Sequence, residues 1–277
     1  MQFEDRAAML WLPFSSCAAI VRRHWYLARA LFLRELFSQY AGQALGAFWT
    51  FVHPFFLIIL FIFIFVIVLG ARIEQSVELP RDYTSYILAG LIPWLGISTM
   101  LSKGTISLTS QESLVKQVVF PIELSPIVAT LAASVSQVIG FAILFVYSGV
   151  TNQLSVTWLL LPVVFALQLL MNLGLSFVFA VITPYFRDMK EIVQLFTTMG
   201  VYFLPVVYLP TWVPPGIRPA LYFNPFSYPI WCYQDVLYFG QIEHPWSWLV
   251  FLAMSLFVFS FGFLLFQRLK PGLGTVL

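Results

Sequence analysis

Residues 124–186 read LSPIVATLAASVSQVIGFAILFVYSGVTNQLSVTWLLLPVVFALQLLMNLGLSFVFAVITPYF, a run without one Asp, Glu, Lys or Arg. A charge at the centre of a bilayer costs about 2.5–3.5 kcal/mol on insertion scales, so an uncharged stretch of this length suits a lipid solvent. A crossing of the hydrocarbon layer needs about 20 apolar residues, and the run holds two, joined by a turn at residues 148–152, SGVTN.

Working outward, the same pattern recurs. Six segments qualify: Leu45 to Gly70, Tyr83 to Ser102, Leu124 to Ser148, Val156 to Thr183, Ile192 to Leu209, and Trp248 to Gln267. Pro205 and Pro210 interrupt the fifth. The chain is 60% apolar, 18% aromatic and 9% charged, with a mean hydropathy of +0.89; soluble domains carry roughly 25% charged residues. The expected fold is an all-α polytopic membrane protein with six transmembrane helices. It divides into a cytoplasmic N-terminal segment, residues 1–44, and a transmembrane domain, residues 45–277.

The distribution of charge orients the set. With the N-terminus in the cytoplasm, the inner segments hold Arg6, Arg22, Arg23, Arg29, Arg34, Lys103, Lys116, Arg187, Lys190, Arg268 and Lys270, and the outer ones hold Arg72, Arg81 and Arg218. Both termini are then cytoplasmic, and Cys17 and Cys232 fall on opposite sides of the membrane, out of reach of a disulfide. Cys232, on the outside, is the expected target of an impermeant thiol reagent unless it is buried among the re-entrant helices. The formal charge of +2 gives no footprint for nucleic acid, and none is expected as a partner.

Between the spans, Phe32 to Tyr40 has amphipathic spacing, with Arg34, Glu35 and Ser38 on one side and Leu33, Leu36, Phe37 and Tyr40 on the other. An interfacial helix and a plain lead-in to the first span both fit. Ser110 to Val119 repeats the pattern, Glu112, Ser113 and Lys116 opposing Gln111, Leu114, Val115 and Val118, either as a helix that docks in a partner's groove or as a solvated loop. A cluster of four charges, Arg187, Asp188, Lys190 and Glu191, follows the fourth span. Pro205 to Pro245 holds eight prolines among many rings. Proline breaks continuous helices, so short re-entrant helices buried in protein are expected there. Gln168 and Asn172 share a face and invite hydrogen bonds between helices. Gly42 and Gly46 have the spacing of a close helix contact.

Several chemistries lack their residues. There is no Gly-x-x-x-x-Gly-Lys-Ser/Thr loop for ATP phosphates, no His-Glu-x-x-His, no Gly-x-Ser-x-Gly and no clustered His/Cys set. No ionisable residue occupies the middle of a span, as ion-driven carriers usually require. An enzyme acting on lipid-linked sugars would need paired groups, and the outer carboxylates Asp235 and Glu243 show no evident partner in the sequence.

The order of parts resembles the membrane-spanning subunit of ABC-2 type exporters, in the polysaccharide branch that includes O-antigen and teichoic acid permeases. Residues 32–40 (FLRELFSQY), 45–49 (LGAFW) with Pro54, 113–121 (SLVKQVVFP), Tyr185 to Asp188, and Asn224-Pro225-Phe226 with Gly240 carry the resemblance. Glu35 stands where many relatives have Asp, and residues 1–25 match nothing in the pattern. The resemblance implies a homodimer with two copies of a separate ABC ATPase subunit, exporting a lipid-linked polysaccharide, O-antigen before capsule or teichoic acid. ATP and Mg would bind the partner, leaving no cofactor, metal or catalytic residue on this chain. Arg34 and Glu35 on the interfacial helix and Glu112, Ser113, Leu114 and Lys116 on a cytoplasmic coupling helix would receive the push of the ATPase. Arg187 and Asp188 would mark the cytoplasmic charge cluster. Tyr222, Phe223, Asn224, Phe226, Tyr228 and Trp231 would line the outer re-entrant region, since sugars stack their C–H faces on rings.

Overall fold

The charge-free run forms two long antiparallel helices, and the computed structural model, which describes residues 2–38, 46–68, 80–111 and 121–275, places only helices and turns around them. In chain order these are α1 (Gln2–Arg23), α2 (Trp25–Ser38), α3 (Trp49–Phe61, prolonged by a π-helical stretch Ile62–Val68), α4 (Tyr83–Ile106) and α5 (Leu124–Val150). Then follow α6 (Leu161–Ile182, entered through a 3-10 turn Val156–Leu160), α7 (Met189–Phe203), α8 (Pro219–Phe223), α9 (Ser227–Gln234, prolonged by a π-helical turn Asp235–Phe239) and α10 (Pro245–Leu269).

Among the described residues four helices are long and apolar enough to cross a membrane: α4, α5, α6 with its entry turn, and α10 with its tail. The other two expected spans are helical but shorter. The first is the 13-residue α3 with its 7-residue extension, the second the 15-residue α7. Leu204 ends α7 by turning extended ahead of Pro205, as a residue before proline prefers.

Helix α4 is the hub. Most of its length is buried, packed by α5, α6, α7 and α9. Asp82 starts it by accepting the Ser85 N–H at 3.0 Å, a side-chain cap for an otherwise orphan donor. The same carboxylate accepts the Tyr147 hydroxyl at 2.9 Å and the Gln153 amide, pinning the far end of α5 to the start of α4. Burial pushes this carboxyl up, but the bonds from Gln153, Ser85 and Tyr147 outweigh it and hold Asp82 below the usual range.

Side chains satisfy the irregular backbone between α7 and α8. The carbonyl of Pro205 accepts the Gln234 amide at 2.7 Å, that of Val207 the Tyr83 hydroxyl at 2.5 Å, and that of Tyr208 the Tyr86 hydroxyl at 3.0 Å. Non-helical backbone at membrane depth survives only with such internal partners. Helix α9 is buried on nearly all sides, Ile230 to Tyr238 lying against α4, α6 and α10. Gly240 closes it in the left-handed region, φ +70°, with its N–H on the Asp235 carbonyl at 3.1 Å.

Asp235 has the partners that the sequence concealed. Its carboxylate, 1% exposed, accepts the His244 backbone N–H at 3.2 Å and the Trp248 indole N–H at 2.9 Å, and it meets His244 Nδ1 at 2.8 Å. Glu243 pairs with the Gln241 amide. Both pairings are local, so spacing alone was ambiguous. The first ties the end of α9 to the start of α10.

The spans themselves are joined by mild polar pairs, as expected for Gln168 and Asn172. Gln137 and Gln168 exchange amide hydrogen bonds at 2.9 and 2.7 Å, Asn172 donates to the Met100 sulfur at 3.3 Å, and Thr130 donates to Ser176 at 2.8 Å. Close approach falls at other glycines than expected. Gly46 faces open space at φ +50° and Gly42 lies outside the described residues, whereas Gly174 on α6 and Gly262 on α10 meet backbone to backbone.

At the N-terminus the inward stripe runs Pro13, Cys17, Val21, His24, Ala28, Leu31 and Glu35 through both α1 and α2. Phe14 packs on Phe259 of α10, ring centroids 4.7 Å apart. The expected sidedness of the interfacial helix is therefore corrected: Glu35 faces inward, while Leu33 and Phe37 are exposed. A partner amide at Gln111 makes the inward carboxylate tolerable, and exposed apolar side chains suit a helix whose free side meets lipid. Tyr40 lies outside the described residues.

Candidate functional site

A groove runs between α3, α4 and α7, and its walls mix polar, aromatic and aliphatic side chains. One section, about 560 Å³, is walled by Leu57 and Phe61 of α3, Trp94, Leu95, Ser98, Thr99, Ser102 and Lys103 of α4, and Gln194, Thr197, Thr198, Val201 and Tyr202 of α7. A second, about 510 Å³, continues past Trp94 and Tyr202, which line both, to Phe196, Met199, Tyr208, Leu221 and Asn224. Helical periodicity builds the α4 wall: residues 94, 95, 98, 99, 102 and 103 fall on one side of a 3.6-residue helix.

Gly200 of α7 sets the width. A Cβ there would run into the Trp94 indole, so α7 lies directly on that ring. Trp94 then meets Phe196 and Phe226 edge to face at centroid separations of 6.0 and 5.9 Å, and the two phenyl rings lie tilted on each other at 5.2 Å. Of the six residues assigned to the outer region, Asn224 lines the groove and Phe226 backs it through this cluster. Tyr222 and Phe223 are exposed beside it, and the Tyr228 hydroxyl donates to the Tyr222 carbonyl at 2.7 Å. Trp231 is 1% exposed and stacks on His244 at 5.6 Å, inside the protein rather than on its wall.

A second constellation gathers where α2, α4 and α5 meet. The Gln111 amide donates to Glu35 at a long 3.4 Å, while its own oxygen accepts the Ser125 hydroxyl at 3.2 Å; that hydroxyl also reaches the Ser107 carbonyl at 3.1 Å. Glu35 of α2 is thus bonded to the residue immediately before Glu112. Glu112, Ser113, Leu114 and Lys116 themselves lie outside the described residues. Arg34 is exposed. Arg187 and Asp188 are exposed in the loop before α7, and Lys190 pairs with its neighbour Glu191 at 3.5 Å.

The sequence reading passed over one carboxylate. Glu123, 3% exposed, accepts the Lys270 ammonium at 2.7 Å and the Gln267 amide at 2.9 Å, tying the start of α5 to the end of α10. Burial pushes its carboxyl up, but the Lys270 ammonium, its own backbone N–H and Gln267 together hold it below 4.5. A single acid after a proline-terminated segment reads as a span boundary; its partners, 144 and 147 positions away, leave no local signal. Nearby Cys17 is pushed up to about 11, by burial first and by Glu123 second. Both cysteines are free and buried, and Cys232, 0% exposed, meets the condition under which no labelling of it is expected.

Comparison with known proteins now bears on this geometry. A family model described as ABC-2 type transporter matches residues 26–238, from the start of α2 through the end of α9. An O-antigen export system permease protein RfbA of Klebsiella pneumoniae is 25% identical over 251 residues, 88% of this chain and 92% of its own length. A protein of the same name from Myxococcus xanthus is 28% identical over 192 residues, 67% of this chain and 71% of its own. A further Klebsiella pneumoniae protein of that name is 22% identical over 250 residues, covering 88% and 92%. Helix α1 and helix α10, which pack on each other, both lie outside the family match.

Proposed function

This chain belongs to the ABC-2 type transporter family, and we propose from that premise that it is the permease subunit of an ABC exporter for a lipid-linked polysaccharide, O-antigen first among the candidates. Two copies of the chain pair with two copies of a separate ATP-hydrolysing subunit in the inner membrane. All six apolar segments cross it, both termini are cytoplasmic, and the polymer moves outward between the two copies. The names of the similar O-antigen permeases support the choice of polymer, and the excess of basic residues on one side supports the orientation.

The observation that carries this reading is the groove. Its wall sets serine, threonine and glutamine side chains and one lysine among apolar ones, and such polar groups are costly against hydrocarbon. A second copy placed across it encloses a polar path instead. Aromatic rings such as Trp94 and Tyr202 then present flat faces to sugar C–H groups, while the low charge of the walls lets a long polymer slide. The bond from Glu35 to Gln111 supports a coupling role for α2: movement forced on residues 112–116 by the ATPase reaches the interfacial helix through one amide.

The test is reconstitution. The complex with its ATPase in proteoliposomes should deliver lipid-linked polymer across the bilayer only with ATP, and the purified chain alone should hydrolyse none. Reversing charges at Glu112 and Lys116 should abolish capture of the ATPase subunit. Hydrolysis by the chain alone, or transport that follows an ion gradient and ignores ATP, would overturn the proposal.

A further inference from the structure

The segment between α4 and α5 leaves the helices and returns to them at one place. Gln111 stands at its entry and Ser125 in the first turn of α5 at its exit, and the Ser125 hydroxyl bonds both to the Gln111 side-chain oxygen at 3.2 Å and to the Ser107 carbonyl at 3.1 Å. All three residues are buried. Close-packed interiors compress little and transmit strain, so a push on residues 112–120 moves this pinned base as a unit.

Among the described residues two ties lead away from the base. One is the bond from Gln111 to Glu35 of α2, a single contact at a long 3.4 Å. The other starts at Glu123. The Leu124 and Ser125 N–H groups close a turn onto the carbonyls of Pro121 and Ile122 at 3.0 and 3.1 Å, so Glu123 cannot shift independently of the segment's exit. Its buried carboxylate accepts the Lys270 ammonium at 2.7 Å and the Gln267 amide at 2.9 Å, both from the inner end of α10. An ion pair of that length reinforced by an amide is stiffer than one stretched hydrogen bond, and the tie to α10 is the stronger of the two.

The end of α10 is in turn packed against what lies beyond it. Gly262 and Gly174 bring α10 and α6 backbone to backbone. The 3-10 turn Lys270–Thr275 that follows α10 seats Leu273, fully buried, in the apolar cluster of Leu108 and Phe266. Within that turn Gly272 lies so close to Tyr185 that a Cβ would run into its hydroxyl. Tyr185 belongs to the loop that leads into α7, one wall of the groove.

We propose that Glu123 is a positioning residue for transport: the joint that delivers movement of residues 112–120 to α10 and, through the turn behind α10, to the loop before α7. The joint rests on the reading of residues 112–116 as the segment pushed by the ATPase. It adds a second outlet for that push besides α2, and the firmer one.

The complex with its ATPase in proteoliposomes, supplied with radiolabelled lipid-linked polymer extracted from the producing cells, tests this through the polymer delivered per ATP hydrolysed. All variants are assayed well below their melting temperatures. Lys270→Gln should lower that yield about fivefold or more, the lower end of ordinary coupling between sites, while capture of the ATPase subunit and the rate of hydrolysis stay within about twofold of wild type. Lys270→Arg, which keeps the charge, should restore most of the yield, and Arg268→Gln, at an exposed neighbour, should leave it unaltered. An unchanged yield in Lys270→Gln would overturn the joint. So would a parallel fall of capture, hydrolysis and export without rescue by Lys270→Arg, since that marks a purely structural tie. If Lys270→Gln does not assemble, Gln267→Leu decides, because it removes one donor and keeps the ion pair: a lower yield at unchanged hydrolysis supports the joint, and an unchanged yield overturns it. ATP-dependent export by the wild-type complex with no effect of these variants removes the joint alone, whereas no such export by wild type removes the reading beneath it.

Discussion

At the scale of the residue, two buried ties decide how firmly the spans are joined. Glu123 is held below its usual 4.5 in the folded protein by Lys270 and Gln267 acting against burial. A depressed carboxyl stabilises the fold above the unfolded pKa, and that contribution disappears as pH falls through the lower folded value. The melting temperature of purified protein should therefore exceed that of Glu123→Gln at pH 7, by an amount equivalent to about 1–2 kcal/mol because Lys270 is partly exposed. The gap should begin to narrow below pH 4.5, where the unfolded carboxyl takes up its proton, and close as pH falls through the lower folded value; a gap constant down to pH 3 would exclude the tie. The Gln137 and Gln168 pair behaves differently, since neither side is charged and each amide satisfies the other. Gln137→Leu alone orphans Gln168 and should cost about 1 kcal/mol in denaturant titration. Replacing both residues by leucine should recover much of that, and a double variant worse than the sum of the singles would show that the bonds are not the reason for the pair. The sequence announced Gln168 only as sharing a face with Asn172, because which helix answers which is a property of packing.

At the scale of the element, the long helices were legible and the joints between them were not. A run without charge states its solvent, and α4, α5, α6 and α10 follow from it with ends within a few residues of those expected. Local pattern failed where a distant group decided the outcome. Glu35 turned inward because Gln111 waits there, and the proline-rich segment holds its shape because Tyr83, Tyr86 and Gln234 reach it from other helices. Removing one hydroxyl isolates this effect. Tyr86→Phe leaves the Tyr208 carbonyl without its donor and should lower stability by about 1–2 kcal/mol, with protease cleavage rising between residues 205 and 213. Unaltered cleavage would mean that the segment is held by its prolines alone. The crossing of α6 and α10 was equally hidden: the glycine pair noticed in the sequence was Gly42 and Gly46, while Gly174 and Gly262, far apart along the chain, are the ones in touch. Gly262→Leu should separate those helices and prevent stable purification, whereas Gly216→Leu, which meets open space, should not.

At the scale of the whole molecule, the exposed surface sorts into two kinds. The free side of α10 carries Leu249, Leu252, Leu256, Phe257, Phe261 and Leu264, uniformly apolar and complete in the company of lipid. The free side of α7 carries Leu195, Met199 and Tyr202 on the lip of a groove that sets Ser98, Thr99, Ser102, Lys103 and Gln194 among apolar side chains, polar groups that lipid serves poorly. Composition alone suggested neither division, because both helices are exposed and largely apolar; the position of Ser98, Thr99 and Ser102 behind α7, with Gln194 on α7 itself, separates them. If a second copy closes the groove, cysteines introduced at the lip must meet their counterparts across a two-fold axis. The native thiols do not interfere, since Cys17 and Cys232 are both buried. Oxidation of membranes holding Thr198→Cys, Met199→Cys or Tyr202→Cys should give a disulfide-linked dimer for at least one of the three, and Phe257→Cys should stay monomeric. Cross-linking confined to Phe257→Cys would move the dimer contact to α10, expose the polar groove to lipid, and leave no enclosed path for a polymer.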